Sequence, residues 1–143
     1  VGGAKEIWLP WANYNHNTSL LTPDKYPFTA EEIDFTASFH PAWEKCSPSV
    51  VKMHVRNTRI ILGNEEYHGP LIKPVKFVIC WTKNGAVIGG TGQGLRIAKR
   101  MDIAIFNLGS PKNPDELVNM INSIYLFSKM VKDQSIKEER FRD

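Results

Sequence analysis

Four glycines fall within six residues of this chain, in the segment IGGTGQG at residues 88–94. A nearly continuous apolar run precedes them at residues 75–82 and a basic amphipathic segment follows, so we expect a turn between a strand and a helix. At such a turn the free backbone N–H groups and the positive end of the helix dipole face one point, which favours an anion, usually a phosphate. Glycine lets the backbone approach that anion without interference from a Cβ.

We therefore predict a phosphate-binding turn formed by Gly89, Gly90, Thr91, Gly92 and Gln93, with the threonine hydroxyl and the glutamine amide at its rim. The alternative is a tight turn that is packed beneath the helix and binds nothing. The spacing matches neither the dinucleotide fingerprint G-x-G-x-x-G followed by an acidic ribose ligand nor a P-loop, which requires Gly-Lys-Ser/Thr.

A second set of side chains is a candidate for binding the base or ribose of a nucleotide. Trp81 and Thr82 end the apolar run, where an indole can stack on a base or simply pack. His54 and Asn57 fall inside the apolar arc of a predicted helix, so they either bond within the core or reach a ligand. The full set is His54, Arg56, Asn57, Trp81, Thr82 and Asn107.

The histidines and cysteines give no metal-binding pattern. His16, His40 and His68 lack ligand spacing with one another or with a cysteine, so we predict no metal and no cofactor. Cys80 lies in a predicted buried strand and is expected to be a small core residue. With only one other cysteine, Cys46, a disulfide scaffold is excluded and a reducing cytoplasm is the simpler location.

The bulk composition is that of an ordinary globular domain. The chain has 143 residues, of which 42% are hydrophobic and 23% charged, and its net charge is +3. No apolar run approaches the roughly 20 residues that span a bilayer, so we expect no membrane association. The mild basicity permits an anionic ligand, whereas nucleic acid would call for a denser stripe of Lys and Arg.

The first half of the chain predicts a strand, a loop and two helices. Residues 5–11 read as a short strand, and residues 12–28 as an irregular loop. Thr29 with Glu32 has the spacing of a capping box and begins a short helix. Ser47 and Pro48 begin a longer helix that ends at Gly63, with Lys52, Arg56 and Arg59 opposite its apolar face.

The second half alternates strands and helices. The strand at 75–82 is apolar on both faces, as in a parallel sheet covered by helices. Arg96, Lys99 and Arg100 are expected to point away from the core. A second strand covers residues 102–108, and Asn113 caps a long helix with an apolar stripe, followed by a polar tail at 132–143 that is expected to fray.

The order strand, glycine turn, helix, strand, helix predicts an α/β fold with right-handed crossovers. We expect a Rossmann-like, doubly wound and mostly parallel sheet flanked by helices, in a single domain over residues 1–143. In such folds a ligand binds beyond the carboxyl ends of the strands. The C-terminal apolar stripe is equally compatible with a homo-oligomer and with burial in the domain's own core.

The segment CWTKNGAVIGGTGQGLRIAKRMDIAIFNLG resembles the SLOG superfamily, the Rossmann-like group that contains the DNA-processing protein A and the Lonely-guy (lysine-decarboxylase-like) phosphoribohydrolases. It is most similar to small stand-alone members carried by phages and mobile elements, in which a strand ending in CWT precedes GGTGQ and a later strand ends in FNL. His54, Arg56 and Asn57 match that group's His-x-Arg-Asn element. The resemblance covers roughly residues 5–124 and implies a nucleotide-binding domain.

Two departures from the family's pattern matter. The Lonely-guy enzymes carry a catalytic Glu after their glycines, and Arg96 stands at that position here. Family members also have an earlier strand and another glycine-rich loop, so the chain either lacks that N-terminal part or builds its pocket differently.

We therefore expect a protein that binds a nucleotide or nucleotide-derived molecule without catalysis, and that senses or sequesters a nucleotide signal in the host cytoplasm, as in phage counter-defence. One alternative is a hydrolase of the N-glycosidic bond, with Glu31, Glu32 or Asp34 in place of the missing Glu. Another is single-stranded DNA binding, although nucleic acid is the less favoured partner.

Overall fold

The computed structural model describes residues 4–141. Over that range the chain forms α1 (Ala30–Ser38), α2 (Pro48–Leu62), α3 (Glu65–His68), β1 (Phe77–Cys80), α4 (Gly89–Arg100), β2 (Ala104–Asn107) and α5 (Pro114–Arg140). Short 3-10 turns lie at Tyr14–His16, Trp43–Lys45 and Lys83–Gly85. No helix among these residues is both long enough and apolar enough to cross a membrane.

The predicted starts of three helices are confirmed. Thr29 and Glu32 form a complete capping box at α1, since each side chain bonds the backbone N–H of the other. Ser47 caps α2 with Pro48 as its first residue, and Asn113 caps α5 by accepting from Glu116 N–H. These caps satisfy backbone N–H groups that would otherwise have no partner.

The two strands pair in parallel, with Phe77 opposite Ala104 and Cys80 opposite Asn107. The order β1, α4, β2, α5 is the predicted one. Within residues 4–141 the protein is therefore a mixed α/β fold with a two-stranded parallel sheet flanked by helices.

The strand predicted near the amino end is wrong. Trp8 makes only an isolated bridge to Leu21, through the bond from Leu9 N–H to the Leu21 carbonyl. Pro10 offers no N–H to continue a ladder, and Asn13 and Asn15 adopt positive φ, which turns the chain back on itself.

Helices cover both faces of the sheet, but incompletely. On one face Val78 and Ile105 pack against a core cluster of Ile61, Ile97 and Ala98 from α2 and α4. On the other face Phe127 of α5 contacts Phe77 and Phe106, with both ring centroids 5.7 Å away. Ile79 is 49% exposed, so the expectation that β1 is buried on both faces is wrong.

Helix α5 is longer than predicted. The tail expected to fray is helical to Arg140, because its Lys, Glu, Gln and Arg residues are strong helix formers; residues 142 and 143 of that tail lie outside the described residues. The apolar stripe was compatible with either an oligomer or the domain's own core, and the core covers it only in part, since no described residue of α5 is buried. The predicted stripe consists of Leu117, Met120, Ile121, Ile124 and Val131, of which Leu117 and Ile121 are exposed.

Arg59 was predicted on the polar face of α2 and is instead 1% exposed. Its guanidinium forms a bidentate pair with Glu32, through Nε and Nη2 at 2.8 Å each, and donates to the carbonyls of Tyr26 and Pro27. Burial alone would raise the pKa of Glu32, but the bonds from Arg59 and Thr29 and the charge of Arg59 outweigh it and lower that pKa. Arg59 thus joins α1, α2 and the preceding loop.

Candidate functional site

The glycine-rich segment was expected to form a turn before a helix. It forms instead the first turn and a half of α4. Residues 81–88 connect β1 to it, and Gly89, with φ of 63°, brings the chain into the helix. Gly90 and Thr91 are exposed, whereas Gly92 and Gln93 are buried. Only the start of the segment therefore faces solvent.

The N-terminus of α4 has no side-chain cap. Its N-cap residue is Ile88, whose side chain has no hydrogen-bonding atom, whereas α1, α2, α3 and α5 are each capped by a Thr, Ser or Asn side chain. The first backbone N–H bonded within α4 is that of Gly92, which donates to the Ile88 carbonyl. The N–H groups of Gly89, Gly90 and Thr91 have no partner among the described residues, and they lie at the positive end of the helix dipole.

A cavity of about 520 Å³ opens beside this helix end, between α2, β1 and α4. Five of the eleven predicted site residues line it: Arg56, Asn57, Trp81, Gly90 and Thr91. Apolar side chains form much of the remaining wall, among them Met53, Ile60, Ile79 and Leu95. An apolar cavity with a few polar groups at one end is typical of a small-molecule site.

Arg56 and Asn57 form the polar wall contributed by α2. Asn57 Nδ2 donates to the Gly90 carbonyl at 2.9 Å, which ties α2 to the first turn of α4. Arg56 Nε donates to Asn57 Oδ1, and Nη1 donates to the Trp8 carbonyl at 3.1 Å. Burial lowers the pKa of Arg56, and Tyr14 acts in the opposite direction. No carboxylate pairs with Arg56 within residues 4–141, so its positive charge is available to an anion.

Trp81 and Cys80 lie at the carboxyl end of β1. The Trp81 indole is 66% exposed and borders the cavity, where a planar ring could stack on it. Cys80 is half-buried rather than fully buried, and burial raises the pKa of its thiol, so the nucleophilic thiolate is disfavoured.

Thr82 and Asn107 are buried and bond to each other. Asn107 Nδ2 donates to Thr82 Oγ1 at 2.6 Å, and Asn107 Oδ1 accepts from the backbone N–H groups of Thr82 and Gly109. This arrangement joins the carboxyl ends of the two strands. Neither residue lines the cavity, so their position favours a role in holding Trp81 in place.

Gln93 and Arg96 differ from their predictions. The Gln93 side chain is fully buried and does not form a rim: its Nε2 donates to the Thr36 carbonyl, and its Oε1 accepts from Arg96. Arg96 does not point into solvent, because its Nε also donates to the Phe39 carbonyl at 2.7 Å. Together they join α4 to the C-terminal end of α1.

His54 is buried at 5% exposure and faces away from the cavity, towards His40 and Trp43. Burial, and then the charges of His40 and Arg96, lowers its pKa, which keeps the imidazole neutral. Cys46 also lies nearby, and His40, Cys46 and His54 form a group that could hold a metal ion. The prediction of no metal site rested on His16, His40 and His68 and did not include His54; the spacing His-x5-Cys-x7-His was the available signal.

A second cavity, of about 590 Å³, lies between α1, the end of α2 and α3. Its lining includes Glu31, Glu32, Glu65 and Glu66, whose negative charge would oppose a phosphate. It is therefore the poorer candidate for an anionic ligand, although it is slightly larger.

No protein-family model, curated protein sequence or solved structure matches this chain at a significant level.

Proposed function

We propose that this protein binds a nucleotide or a nucleotide-derived small molecule in the cavity between α2, β1 and α4. The observation that carries the proposal is the uncapped first turn of α4, which opens into a cavity that also contains Arg56 and Trp81. A helix end and a guanidinium both attract an anion, and an exposed indole attracts a planar ring.

The phosphate end of the ligand would lie on Gly90 and Thr91. Their backbone N–H groups, with that of Gly89, supply donors that no capping residue uses. The Thr91 side chain is exposed and adds a hydroxyl. Arg56 approaches from α2 and supplies the full positive charge that the helix dipole lacks.

The base end would stack on Trp81, whose ring is the exposed aromatic surface in the cavity wall. Stacking on an aromatic side chain contributes about 1–3 kcal/mol per base and tolerates any base identity. The Thr82–Asn107 pair keeps this tryptophan at the end of the strand. The volume of about 520 Å³ lies within the range of small-molecule sites.

We also propose that the domain has the Rossmann-like fold of the SLOG superfamily, which the order β1, α4, β2, α5 supports. On that basis the protein would sequester or sense a nucleotide signal rather than destroy one. The positions of Glu31 and Glu32 also argue against hydrolysis. Both carboxylates, which could have replaced the missing catalytic Glu, border the other cavity, and Glu32 is paired with Arg59.

The test is a thermal-shift and calorimetric screen of the full chain against linear and cyclic nucleotides and ADP-ribose derivatives. A ligand present at 100 times its dissociation constant should stabilise the protein by about 2.7 kcal/mol. Chromatography of the same mixtures detects any released base. No stabilisation by any member of the panel would overturn the proposal, and release of free base would replace it with the hydrolase.

Two variants then locate the ligand. Trp81→Ala removes an exposed ring at little cost in stability and should weaken binding by about 5- to 150-fold, the equivalent of 1–3 kcal/mol. Arg56→Met should weaken the binding of a nucleotide far more than the binding of the corresponding nucleoside, because only the nucleotide carries a phosphate. Tyr125→Ala is the matched control, since Tyr125 is 65% exposed, much like Trp81, and lies outside the cavity. Equal losses for nucleotide and nucleoside would show that Arg56 acts on the fold alone.

A further inference from the structure

His40, Cys46 and His54 converge from three separate elements. His40 follows the end of α1, Cys46 ends the 3-10 turn Trp43–Lys45, and His54 lies in the second turn of α2. One ligand atom from each lies within 4.8 Å of the other two. The two imidazole centroids are 4.8 Å apart, and Cys46 Sγ is 3.7 Å from His40 Nε2.

His54 Nδ1 is the atom that the fold itself leaves unexplained. The residue is 5% exposed, and this nitrogen is buried without a hydrogen-bond partner anywhere in residues 4–141. A buried polar atom without a partner is costly, and native structures seldom keep one without a function. A metal ion bound to that nitrogen would satisfy it.

We propose that His40, Cys46 and His54 bind a zinc ion. One thiolate and two imidazoles form a donor set that suits Zn²⁺, with a fourth tetrahedral position left for water or a ligand atom. Zinc bonds of 2.0–2.3 Å place such donor atoms about 3.3–3.6 Å apart in a tetrahedron. The distance of 3.7 Å between Cys46 Sγ and His40 Nε2 is close to that, and the other separations between ligand atoms are at most 4.8 Å, so zinc would draw them together by up to about 1.5 Å.

Two neighbouring side chains affect this group: Arg96, whose positive charge opposes a cation, and Trp43, whose ring covers one side. Arg96 acts on His54 as a positive charge, which disfavours a cation, but its guanidinium is bonded to the Phe39 carbonyl and Gln93, and the Cys46 thiolate supplies a compensating negative charge. The Trp43 ring lies 5.9 Å from that of His40 and 6.2 Å from that of His54, and covers the group on one side. This site is separate from the proposed nucleotide cavity, so either can fail without the other.

Zinc would also break one hydrogen bond. Ala42 N–H donates to His40 Nδ1 at 3.1 Å. If Nδ1 binds the metal, its lone pair is used; if Nε2 binds it, the neutral ring carries its proton on Nδ1. In both cases Ala42 N–H loses its acceptor, so zinc should shift its amide signal and speed its hydrogen exchange.

The test uses the full chain, reduced and freed of metal, titrated first with Co²⁺ and then with Zn²⁺. We expect one equivalent of Co²⁺ to give a thiolate-to-cobalt charge-transfer band, which Zn²⁺ removes by displacement, together with the change at the Ala42 amide. Cys46→Ser should abolish the band while Cys80→Ser keeps it. His54→Gln should weaken binding more than about 100-fold, beyond the effect of losing an outer-shell partner, while His16→Gln should not.

Melting curves without metal show whether each variant is folded. A folded wild-type protein that gives no cobalt–thiolate band and retains no stoichiometric zinc would overturn the proposal. A band that survives in Cys46→Ser and disappears in Cys80→Ser would overturn it as well, because the metal would then bind elsewhere.

Discussion

The Arg59 side chain is nearly inaccessible, and its charge is balanced by a single carboxylate. Glu32 supplies both oxygens, and the carbonyls of Tyr26 and Pro27 accept two further hydrogen bonds from the guanidinium. The Phe28 ring lies 4.6 Å from the guanidinium carbon and adds a cation–π contact. Breaking such a pair leaves a buried charge uncompensated, which costs more than the pair contributes when intact.

Glu32→Gln should lower the free energy of unfolding by about 3 kcal/mol, at the low end for a buried pair because Arg59 keeps its carbonyl partners. Glu31→Gln is the matched control, since Glu31 is exposed and forms no ion pair with any of residues 4–141; it should change stability by less than about 0.5 kcal/mol. Urea denaturation at neutral pH measures both. Equal effects of the two substitutions would contradict the role given to the pair.

The same pair sets an acid dependence. Because the pKa of Glu32 is lowered in the folded protein, its stabilisation is complete above the ordinary value of 4.5 and is lost as the pH falls through the folded value. The difference in unfolding free energy between the wild type and Glu32→Gln should therefore shrink below pH 4.5. A difference that stays constant down to acid unfolding would be inconsistent with a lowered pKa.

At the scale of the element, the first turn of α4 uses its glycines for two purposes. Gly90 is exposed, and a Cβ added there has only Asn57 Nδ2 nearby, at 4.0 Å, so the methyl would enter the cavity. Gly92 is buried, and a Cβ there would lie 2.8 Å from the Val87 carbonyl carbon. Gly92 is required because the segment before α4 passes close to it at Val87, whereas Gly90 would be required by a ligand.

Gly90→Ala and Gly92→Ala should therefore have opposite effects. Gly90→Ala should keep or raise stability, by up to about 1 kcal/mol, and should obstruct the nucleotide. Gly92→Ala should lower stability by about 1–3 kcal/mol, because backbone rather than a flexible side chain must move. Melting temperature and dissociation constant, measured on both variants, separate the two roles. Undiminished binding by Gly90→Ala would move the ligand away from this helix end.

Asn107 holds the carboxyl ends of β1 and β2 together. It bonds the backbone of Thr82 and Gly109, and Gly109 has no room for a Cβ, which would collide with the Thr82 carbonyl oxygen. Residues 80–82 and 107–109 are thus fixed against each other. This fixed arrangement positions Trp81 beside the cavity.

Thr82→Val should destabilise the protein less than Asn107→Ala. Thr82→Val removes one hydrogen bond and should cost about 1 kcal/mol, whereas Asn107→Ala leaves two backbone N–H groups without acceptors and should cost about 2–3 kcal/mol. Trp81 fluorescence should change in Asn107→Ala, because the end of the strand is released. An unchanged emission spectrum with reduced stability would mean that the pair supports the fold without positioning the tryptophan.

At the scale of the whole molecule, α5 is held to the sheet by few contacts. Phe127 packs on Phe77 and Phe106, but many other apolar residues of the helix are exposed, including Val118, Leu126 and Met130. The other face of the sheet carries the larger core, with α2 and α4. The layers therefore differ in how strongly they are bound to the sheet.

Phe127→Ala should detach α5 without unfolding the rest. We expect a loss of about 2 kcal/mol, below the value for a fully buried phenylalanine, and faster hydrogen exchange in α5 than in α2 and α4. Tyr125→Ala, on a side chain that is 65% exposed, is the control and should change little. Uniform acceleration of exchange in all the helices would show instead that the molecule unfolds as one cooperative unit.

Local chemistry in the sequence determined the helix starts and the order of the elements. Thr29, Ser47 and Asn113 cap helices because each side chain bonds a backbone N–H only three residues away, and such bonds need no tertiary partner. The apolar runs predict the positions of both strands, because an apolar run is itself a local pattern, although the pairing of the two strands is not. The predicted fold and the family resemblance grouped eleven residues into one site, and five of them, Arg56, Asn57, Trp81, Gly90 and Thr91, line one cavity.

Only the tertiary structure decided which polar side chains are buried. Helical periodicity predicts Arg59 and Arg96 as surface charges, yet Arg59 is buried and Arg96 half-buried. Arg59 bonds Glu32, 27 positions away, and Arg96 bonds the carbonyl of Phe39, 57 positions away. His54 meets Cys46 and His40 for the same reason: their spacing marks them as candidates, but the path of the chain between α1 and α2 brings them together. A sequence records the periodicity of one helix, whereas the partners that make a buried charge or an imidazole favourable come from elsewhere in the chain.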